Sequence, residues 1–244
     1  MAQEITLGQL RNWLILYADR IIAEEEQLTR LDTAIGDADH GVNMRRGMEK
    51  VRERLLDPEN HYADVGTLFR SVAMTLISAV GGAAGPLYGT FFLRAATSPN
   101  SGSRVDLSQF TRMLRFGLDG LQQRGKAYVD DKTMVDAIQP AVEAMEAALA
   151  SQQSWAVALA AAKQAARLGM EHTIEIRANK GRASYLGDRS IGHQDPGATS
   201  AYLLFETAVA ALSTSAPLKV NGQEPAAASP RSVPTQAGKQ KNTD

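Results

Sequence analysis

Apolar residues recur every three or four positions along most of this chain, and this spacing constrains its fold more than any other feature. The pattern runs through residues 5–31, 63–79, 107–124, 131–176 and 196–212. Such spacing places apolar side chains on one face of an α-helix. No segment shows the alternating, β-branched pattern bounded by turn residues that predicts strands and hairpins. We therefore expect an all-α fold of antiparallel helices joined by short connections.

Prolines and helix-capping residues refine two of these helices. The stretch 131–176 is predicted to divide into two helices near residues 151–154, and Pro140 is expected to kink the first of them or to mark its start. The last helix is predicted to begin with Asp195 as its N-cap and Pro196 at its first position.

An acidic connection, LDTAIGDADHGVN at residues 31–43, carries Asp32, Asp37 and Asp39. Three neighbouring carboxylates repel one another unless a cation lies among them, and hard oxygen ligands suit Mg²⁺ or Ca²⁺. The next helical pattern starts here, and a helix N-terminus favours anions. An acidic surface turn is the alternative interpretation of this spacing. An EF-hand is excluded, because the twelfth position from Asp32 is Asn43 rather than Glu.

Three further connections are polar, and one of them, RGKAYVDDKTMVD at 124–136, carries Lys126, Lys132 and Thr133. The glycine-rich GGAAGPLYG at 81–89 is typical of phosphate-binding turns, although tight helix packing also uses glycine. The long segment 180–200 places four groups where we expect them to face a ligand: Arg182, Arg189, His193 and Asp195. Because alternate connections of an up-and-down bundle fall at the same end, residues 32–41, 81–85, 125–133 and 180–196 are predicted to converge on one rim.

Composition narrows the class of protein. The 244 residues have a formal net charge of −1, no cysteine, and no stretch near the ~20 apolar residues of a membrane span. The N-terminus lacks the basic and apolar regions of a signal peptide. We expect one cytoplasmic domain over residues 1–212, with no nucleic-acid or membrane partner. Residues 213–244 are rich in proline, alanine and serine and are predicted to be disordered.

Four sequence motifs together resemble a known kinase family. They are IGDADHGVNM at 35–44, GGAAGPLYGTFFLRAA at 81–96, DKTMVD at 131–136 and KGRASYLGDRSIGHQDPGATS at 180–200. Their order and spacing resemble the L subunit (DhaL) of phosphotransferase-dependent dihydroxyacetone kinases and the nucleotide domain of single-chain, ATP-dependent ones. The resemblance covers residues 5–212. It implies a closed barrel of about eight antiparallel helices with a nucleotide and two Mg²⁺ ions at one end.

The resemblance also implies which residues bind. The metal ligands would be Asp32, Asp37 and Asp39. The implied nucleotide contacts come from the start of the next helix, the glycine loop and later positions: His40, Gly41, Val42, Asn43, Ala83, Ala84, Gly125, Met134, Arg182, Asp195, Pro196 and Gly197. No catalytic residue is implied beyond this metal and nucleotide site.

The chain departs from the family pattern in three places. Serine is usual where this chain has Ala83 or Ala84, so a hydroxyl donor to phosphate is absent. Asp130 replaces a frequent glycine, and Ala38 stands where glycine is common. These changes are expected to weaken nucleotide binding or to mark a paralogue for another sugar. None of them removes a metal ligand.

The resemblance implies an enzyme subunit that binds ADP or ATP with Mg²⁺. It would carry a phosphoryl group from the phosphohistidine of an M subunit to dihydroxyacetone held by a K subunit. Positioning and charge stabilisation do most of the work in such transfers. Two alternatives stay open: a subunit that uses free ATP for another keto sugar such as erythrulose, and a non-catalytic regulator that binds a transcription factor.

Overall fold

The structure is a computed structural model, and it describes residues 3–98 and 102–213. Within these residues the chain is overwhelmingly helical, so the predicted all-α class is confirmed. The predicted disordered tail lies outside the described residues except for Ser213. No helix in the described part of the chain is both long and apolar enough to cross a membrane.

Nine α-helices and two short strands make up the described chain. The helices are α1 Leu7–Ala23, α2 Glu25–Ile35, α3 His40–Leu56, α4 Val65–Ala79, α5 Ala84–Ala95, α6 Leu107–Gly125, α7 Val135–Ala150, α8 Trp155–His172 and α9 Pro196–Leu212; the strands are β1 Glu4–Thr6 and β2 Arg104–Asp106. A 3₁₀ segment covers Arg182–Ser190 before α9.

Eight of these helices pack in a closed cycle. Neighbours along the chain pack in pairs from α3 through to α9, and α1 contacts both α3 and α9, which closes the cycle. The indole Nε1 of Trp13 donates to the main-chain carbonyl oxygen of Leu204 at 3.0 Å. The hydroxyl of Tyr17 donates to the main-chain carbonyl oxygen of Ser200 at 3.2 Å. These two buried bonds join α1 to α9. A closed cycle is what a ring of eight helices requires, while the barrel shape itself stays a prediction.

The long predicted helix at 5–31 is divided in the structure. Glu24 leaves helical geometry with φ −97° and ψ 10°, so α1 ends there and α2 begins at Glu25. The carboxylate of Glu24 pairs with Arg20, which also bonds Glu206 of α9. The break allows α2 to pack mainly on α3 rather than to continue the direction of α1.

Pro140 lies within α7, five residues after its first residue, and so does not mark the start of that helix. Proline has no N–H group to donate to the carbonyl four residues earlier, which here belongs to Asp136. Helix α8 approaches this carbonyl closely, because a Cβ at Gly169 would lie 1.8 Å from the Asp136 oxygen. Glycine at 169 therefore lets the two helices pack tightly.

The two strands were not predicted from the sequence. They pair antiparallel with Ile5 opposite Val105, and each covers only three residues, too short for an alternating pattern to appear. Each strand leads directly into a capping box, at Thr6 for α1 and at Asp106 for α6. The ladder therefore aligns the starts of these two helices.

Candidate functional site

The four polar connections meet at one cavity, as the sequence predicted. The cavity has a volume of about 580 Å³, within the usual range for small-molecule sites. Residues from the acidic connection, the glycine loop, the loop after α6 and the segment before α9 all line it.

The acidic side of the cavity is formed by the end of α2 and its connection to α3. Carboxylate oxygens of Asp32, Asp37 and Asp39 all lie within 4.8 Å of one another. Asp32 is buried, and its Oδ2 accepts the main-chain N–H groups of Asp39 at 2.8 Å and His40 at 3.1 Å. These two bonds fold the acidic connection back on the end of α2, so that Asp37 and Asp39 present their carboxylates beside that of Asp32.

The electrostatics of this cluster suit a divalent cation. Partial burial raises the pKa of Asp39, and the negative charges of Asp37 and Asp32 add to that rise. A positively charged side chain lies beside the cluster, since Arg182 Nε is 2.8 Å from a carboxylate oxygen of Asp37. A hard cation with oxygen ligands would relieve the remaining repulsion, and three clustered carboxylates are a donor set that Mg²⁺ accepts.

The first residues of α3 divide between the cavity and the neighbouring helix. His40 and Asn43 line the cavity, whereas Gly41 and Val42 do not. Gly41 faces α2, where a Cβ would lie 2.2 Å from the Glu25 carbonyl oxygen. Val42 is exposed. A phosphate contact by Gly41 or Val42 is thus confined to the main-chain N–H groups of the first helical turn, and it stays a prediction.

His40 joins the cavity to a buried hydroxyl network. Its Nε2 lies 3.0 Å from Ser200 Oγ, which also lies 2.8 Å from the Tyr88 hydroxyl and 3.0 Å from the Gly197 carbonyl oxygen. Although some of the residue's surface is exposed, burial of its ring lowers the pKa of His40 to about 4. The imidazole is therefore neutral at physiological pH.

Making all three contacts of Ser200 Oγ hydrogen bonds at once requires one particular tautomer of His40. Ser200 has one hydroxyl proton, and the Gly197 carbonyl can only accept. When Ser200 donates to Gly197, its oxygen must accept from the imidazole, which places the His40 proton on Nε2 and leaves Nδ1 as a hydrogen-bond acceptor.

The glycine loop presents main chain rather than side chain to the cavity. Gly82 has φ +64°, and a Cβ at Gly81 would lie 2.5 Å from Asn43 Oδ1, so this loop lies directly against the start of α3. Ala83 is the N-cap of α5 and makes no side-chain capping bond. The N–H groups at the start of α5 therefore have no competing side-chain acceptor at the cap. Ala83 and Ala84 both line the cavity.

The cavity also has an apolar wall, and sequence reasoning missed most of it. It comes from the start of α5, the end of α6 and the start of α7: Leu87, Leu121, Ala127, Met134 and Val135, with the predicted Gly125 between them. Only Met134 and Gly125 were predicted here. The others have the same periodic spacing as core residues, so their sequence pattern does not separate cavity from core.

The segment before α9 contributes Arg182 and Asp195 to the cavity, and the first turn of α9 contributes Pro196 and Gly197; all four had been predicted as nucleotide contacts, and their contact with a nucleotide stays a prediction. Asp195 is the N-cap of α9, also as predicted, and accepts the Ala198 N–H at 2.7 Å. Burial raises the pKa of Asp195 to about 7, an effect that the Ala198 N–H opposes and the charge of Asp136 strengthens.

Two side chains expected to face a ligand do not line the cavity. Arg189 and His193 are both exposed and lie outside it. Four polar residues outside the nucleotide contacts that the resemblance implies do line it: Arg124, Lys180, and Lys132 and Thr133 of the polar connection after α6.

The sequence of this chain is similar to a known domain family and to two named kinase subunits. A family model described as the DAK2 domain matches residues 34–210. The chain is 48% identical over 198 residues to the PEP-dependent dihydroxyacetone kinase ADP-binding subunit DhaL of Escherichia coli strain K12, covering 81% of this chain and 93% of that subunit. It is 40% identical to the corresponding subunit of kinase 1 from Listeria innocua, covering 79% and 90%.

A solved structure has the same fold. The dihydroxyacetone kinase of C. freundii, in complex with AMP-PNP and Mg²⁺, matches with a TM-score of 0.65 and 25% identity. The match covers 86% of this chain and 35% of the kinase, so this chain spans about a third of that longer protein.

Proposed function

This chain belongs to the DAK2 domain family, and we propose that it is the ADP-binding subunit of a PEP-dependent dihydroxyacetone kinase. Its similarity to the Escherichia coli subunit extends over 93% of that protein, so the comparison is with a whole subunit rather than with one domain of a longer kinase. Relatives of comparable length are PEP-dependent, which favours a phosphotransferase donor over free ATP.

The observation that carries this proposal is that one cavity is lined both by the acidic cluster and by apolar residues. The cluster has three carboxylates, and the apolar wall comes from α5, α6 and α7. A nucleoside diphosphate has the same division, since its base is flat and largely apolar at its faces while its phosphates are anionic and bind cations. The volume of about 580 Å³ suits a ligand of this size.

In this proposal the acidic and the apolar residues of the cavity bind different parts of the nucleotide. Asp32, Asp37 and Asp39 would hold two Mg²⁺ ions, which neutralise polyphosphate charge when bound. The main-chain N–H groups at the starts of α3 and α5 would bind phosphate oxygens, assisted by the helix dipoles. Arg182 adds a positive charge beside Asp37. Met134 and the neighbouring apolar residues would enclose the base.

In this proposal His40 orients a ligand hydroxyl or a bound water and does not transfer protons. Its imidazole is neutral and is fixed by Ser200, so Nδ1 can accept a hydrogen bond from a hydroxyl or a bound water but cannot donate one to phosphate. Phosphoryl transfer needs mainly alignment and charge stabilisation, which these residues are placed to provide.

The proposed partners follow from the relatives. An M subunit would supply the phosphoryl group and a K subunit would hold dihydroxyacetone. ADP would then remain bound and be rephosphorylated in place. A contact with a transcription regulator stays a prediction from the sequence resemblance alone.

The test is to identify what the purified protein carries. Small molecules released by denaturation are analysed by mass spectrometry, and Mg²⁺ is measured in the same sample. We expect ADP with Mg²⁺, and we expect EDTA to lower the melting temperature, because a ligand that binds only the folded state stabilises it. The proposal would be refuted if the protein is purified without nucleotide and its melting temperature does not change when ADP and Mg²⁺ are added.

A variant pair makes the test specific to the acidic cluster. Asp37→Asn should abolish ADP retention without changing the helix content measured by circular dichroism. Asp119→Asn, which alters an exposed aspartate on α6, is the matched control and should retain ADP. Equal retention in the two variants would remove Asp37 from the metal site.

A further inference from the structure

A buried lysine side chain ends in a cage of main-chain oxygens at the edge of the cavity. Lys132 is 1% exposed. Its Nζ lies 2.5 Å from the carbonyl oxygen of Thr173, 3.2 Å from that of Ile176, 2.7 Å from that of Ser190 and 2.5 Å from that of His193. All of its polar contacts in the described residues are therefore to backbone.

These four carbonyls belong to one stretch of chain, residues 173–195, here called the rim segment. Two of them follow α8 and two precede α9. The rim segment carries Arg182 and Asp195 into the cavity. It contacts α2 through a small apolar cluster of Ile35, Ala178 and Ala183. Lys132 thus binds both ends of a segment that has no α-helix or β-strand and whose 3₁₀ stretch, Arg182–Ser190, is interrupted at Gly187.

The cage requires the ammonium form of the lysine. An ammonium group has three N–H donors, whereas a neutral amine would turn its lone pair towards carbonyl oxygens. Burial lowers the pKa of Lys132, and the charges of Asp195 and Asp136 oppose that change. A shell of carbonyl oxygens is also how proteins replace the hydration shell of a monovalent cation. The cage therefore suits a small monovalent cation as well as an ammonium group.

We propose that Lys132 is a positioning residue whose buried ammonium acts as a tethered monovalent cation, holding the rim segment against the nucleotide cavity. Lys132 does not bind phosphate, because its donors are already used by the cage. It follows that the empty cage of a variant lacking this side chain takes up NH₄⁺ or K⁺. The test by ADP binding rests on the proposed function, whereas the test by amide hydrogen exchange does not.

The sharpest variant is Lys132→Gly. Lys132 has φ +61°, a conformation that glycine adopts freely, so this change removes the side chain without straining the backbone. Lys126→Gly is the matched control, since Lys126 also has a left-handed φ, of +52°, and is exposed. Binding of a fluorescent ADP analogue is measured for both variants in ammonium, potassium and tetramethylammonium chloride at equal ionic strength.

We expect Lys132→Gly to weaken ADP binding about 10- to 100-fold in tetramethylammonium chloride, the usual effect of removing a residue that orients ligand-binding groups. Ammonium or potassium should restore most of this loss in a saturable way, while the wild type and Lys126→Gly show no such dependence. Unchanged ADP binding in tetramethylammonium would overturn the positioning role. A loss that no small cation restores would overturn the cation cage.

Hydrogen exchange tests the same inference without nucleotide. Lys132→Met keeps an apolar stem of similar length and serves if the glycine variant does not fold. In ADP-free protein, amides of the rim segment should exchange faster in Lys132→Met than in the wild type, while those of α1 and α9 stay equally protected. Equal protection of the rim segment in both proteins would refute the role of Lys132 even if ADP binding is confirmed.

Discussion

Replacing Asp39 with asparagine should change stability in opposite directions with and without ligand. The ligand oxygens of Asp32, Asp37 and Asp39 lie within 4.8 Å of one another. A like-charge pair at this range costs about 1 kcal/mol even at the dielectric constant of water. Asp39→Asn removes two such pairs and also loses attraction to Arg182. We therefore expect the metal-free protein to gain about 1 kcal/mol of unfolding free energy.

The ligand-bound protein should respond in the opposite direction. Ligand at about 100 times its dissociation constant stabilises the folded state by about 2.7 kcal/mol. Asp39→Asn removes one charged metal ligand and with it most of this gain. Since 1 kcal/mol shifts the melting temperature of a domain of this size by about 2–4 °C, the variant should melt about 2–4 °C above wild type in EDTA. With saturating Mg²⁺ and ADP it should melt several degrees below.

Differential scanning fluorimetry in EDTA and in Mg²⁺ with ADP measures this crossover. Asp119→Asn, on the exposed face of α6, controls for loss of a negative charge elsewhere. Its change in melting temperature in EDTA should equal its change in Mg²⁺ with ADP to within a fraction of a degree. If Asp39→Asn lowers the melting temperature equally in both buffers, Asp39 acts as a structural residue and the repulsion argument is wrong.

Three other changes test separate parts of the structure. Ser200→Ala should free the His40 ring, so that ¹⁵N NMR shows a mixture of tautomers instead of the Nε2–H form, and should cost about 1 kcal/mol of stability because Tyr88 loses its bond to Ser200 while keeping that to Tyr17. Asp64→Ala removes the capping box of α4 and should cost about 1 kcal/mol at pH 7 in urea unfolding. Because the pKa of Asp64 is lowered in the folded state, that difference should vanish as the pH falls from about 4 through the folded pKa. Ala38→Gly relieves a left-handed φ of +62° and should stabilise the protein by up to about 1 kcal/mol in the same assay.

The sequence predicted the helices and the meeting of the polar connections because both depend on local patterns. Apolar spacing sets which residues are helical, and the alternation of helices in a bundle sets which connections share an end. The break at Glu24 and the strand pair could not be predicted in this way. The strand pair depends on residues far along the chain, Arg104–Asp106, and the break at Glu24 has no proline or glycine in the sequence to mark it.

Side-chain roles within the site were harder to predict than its location. Gly41 and Gly82 lie in similar glycine-containing motifs, yet Gly41 allows α3 to pack on α2 whereas Gly82 provides a left-handed turn. Leu121 has the spacing of a core residue but lines the cavity. These roles depend on which helix lies opposite, and that information is not local.

Buried charged groups hold the cavity rim where regular backbone ladders end. Asp32 accepts the N–H groups of the acidic connection, Asp136 accepts those of Asp130 and Thr133, and Lys132 donates to the carbonyls of the rim segment. Three of the left-handed, non-glycine residues of this rim lie in or beside these bonded turns: Ala38, Asp130 and Lys132. Such conformations persist only where surrounding contacts impose them. Replacing one of these three buried charged groups should therefore disturb the cavity before it disturbs the helices, because the helices are held by an apolar core that these groups do not join.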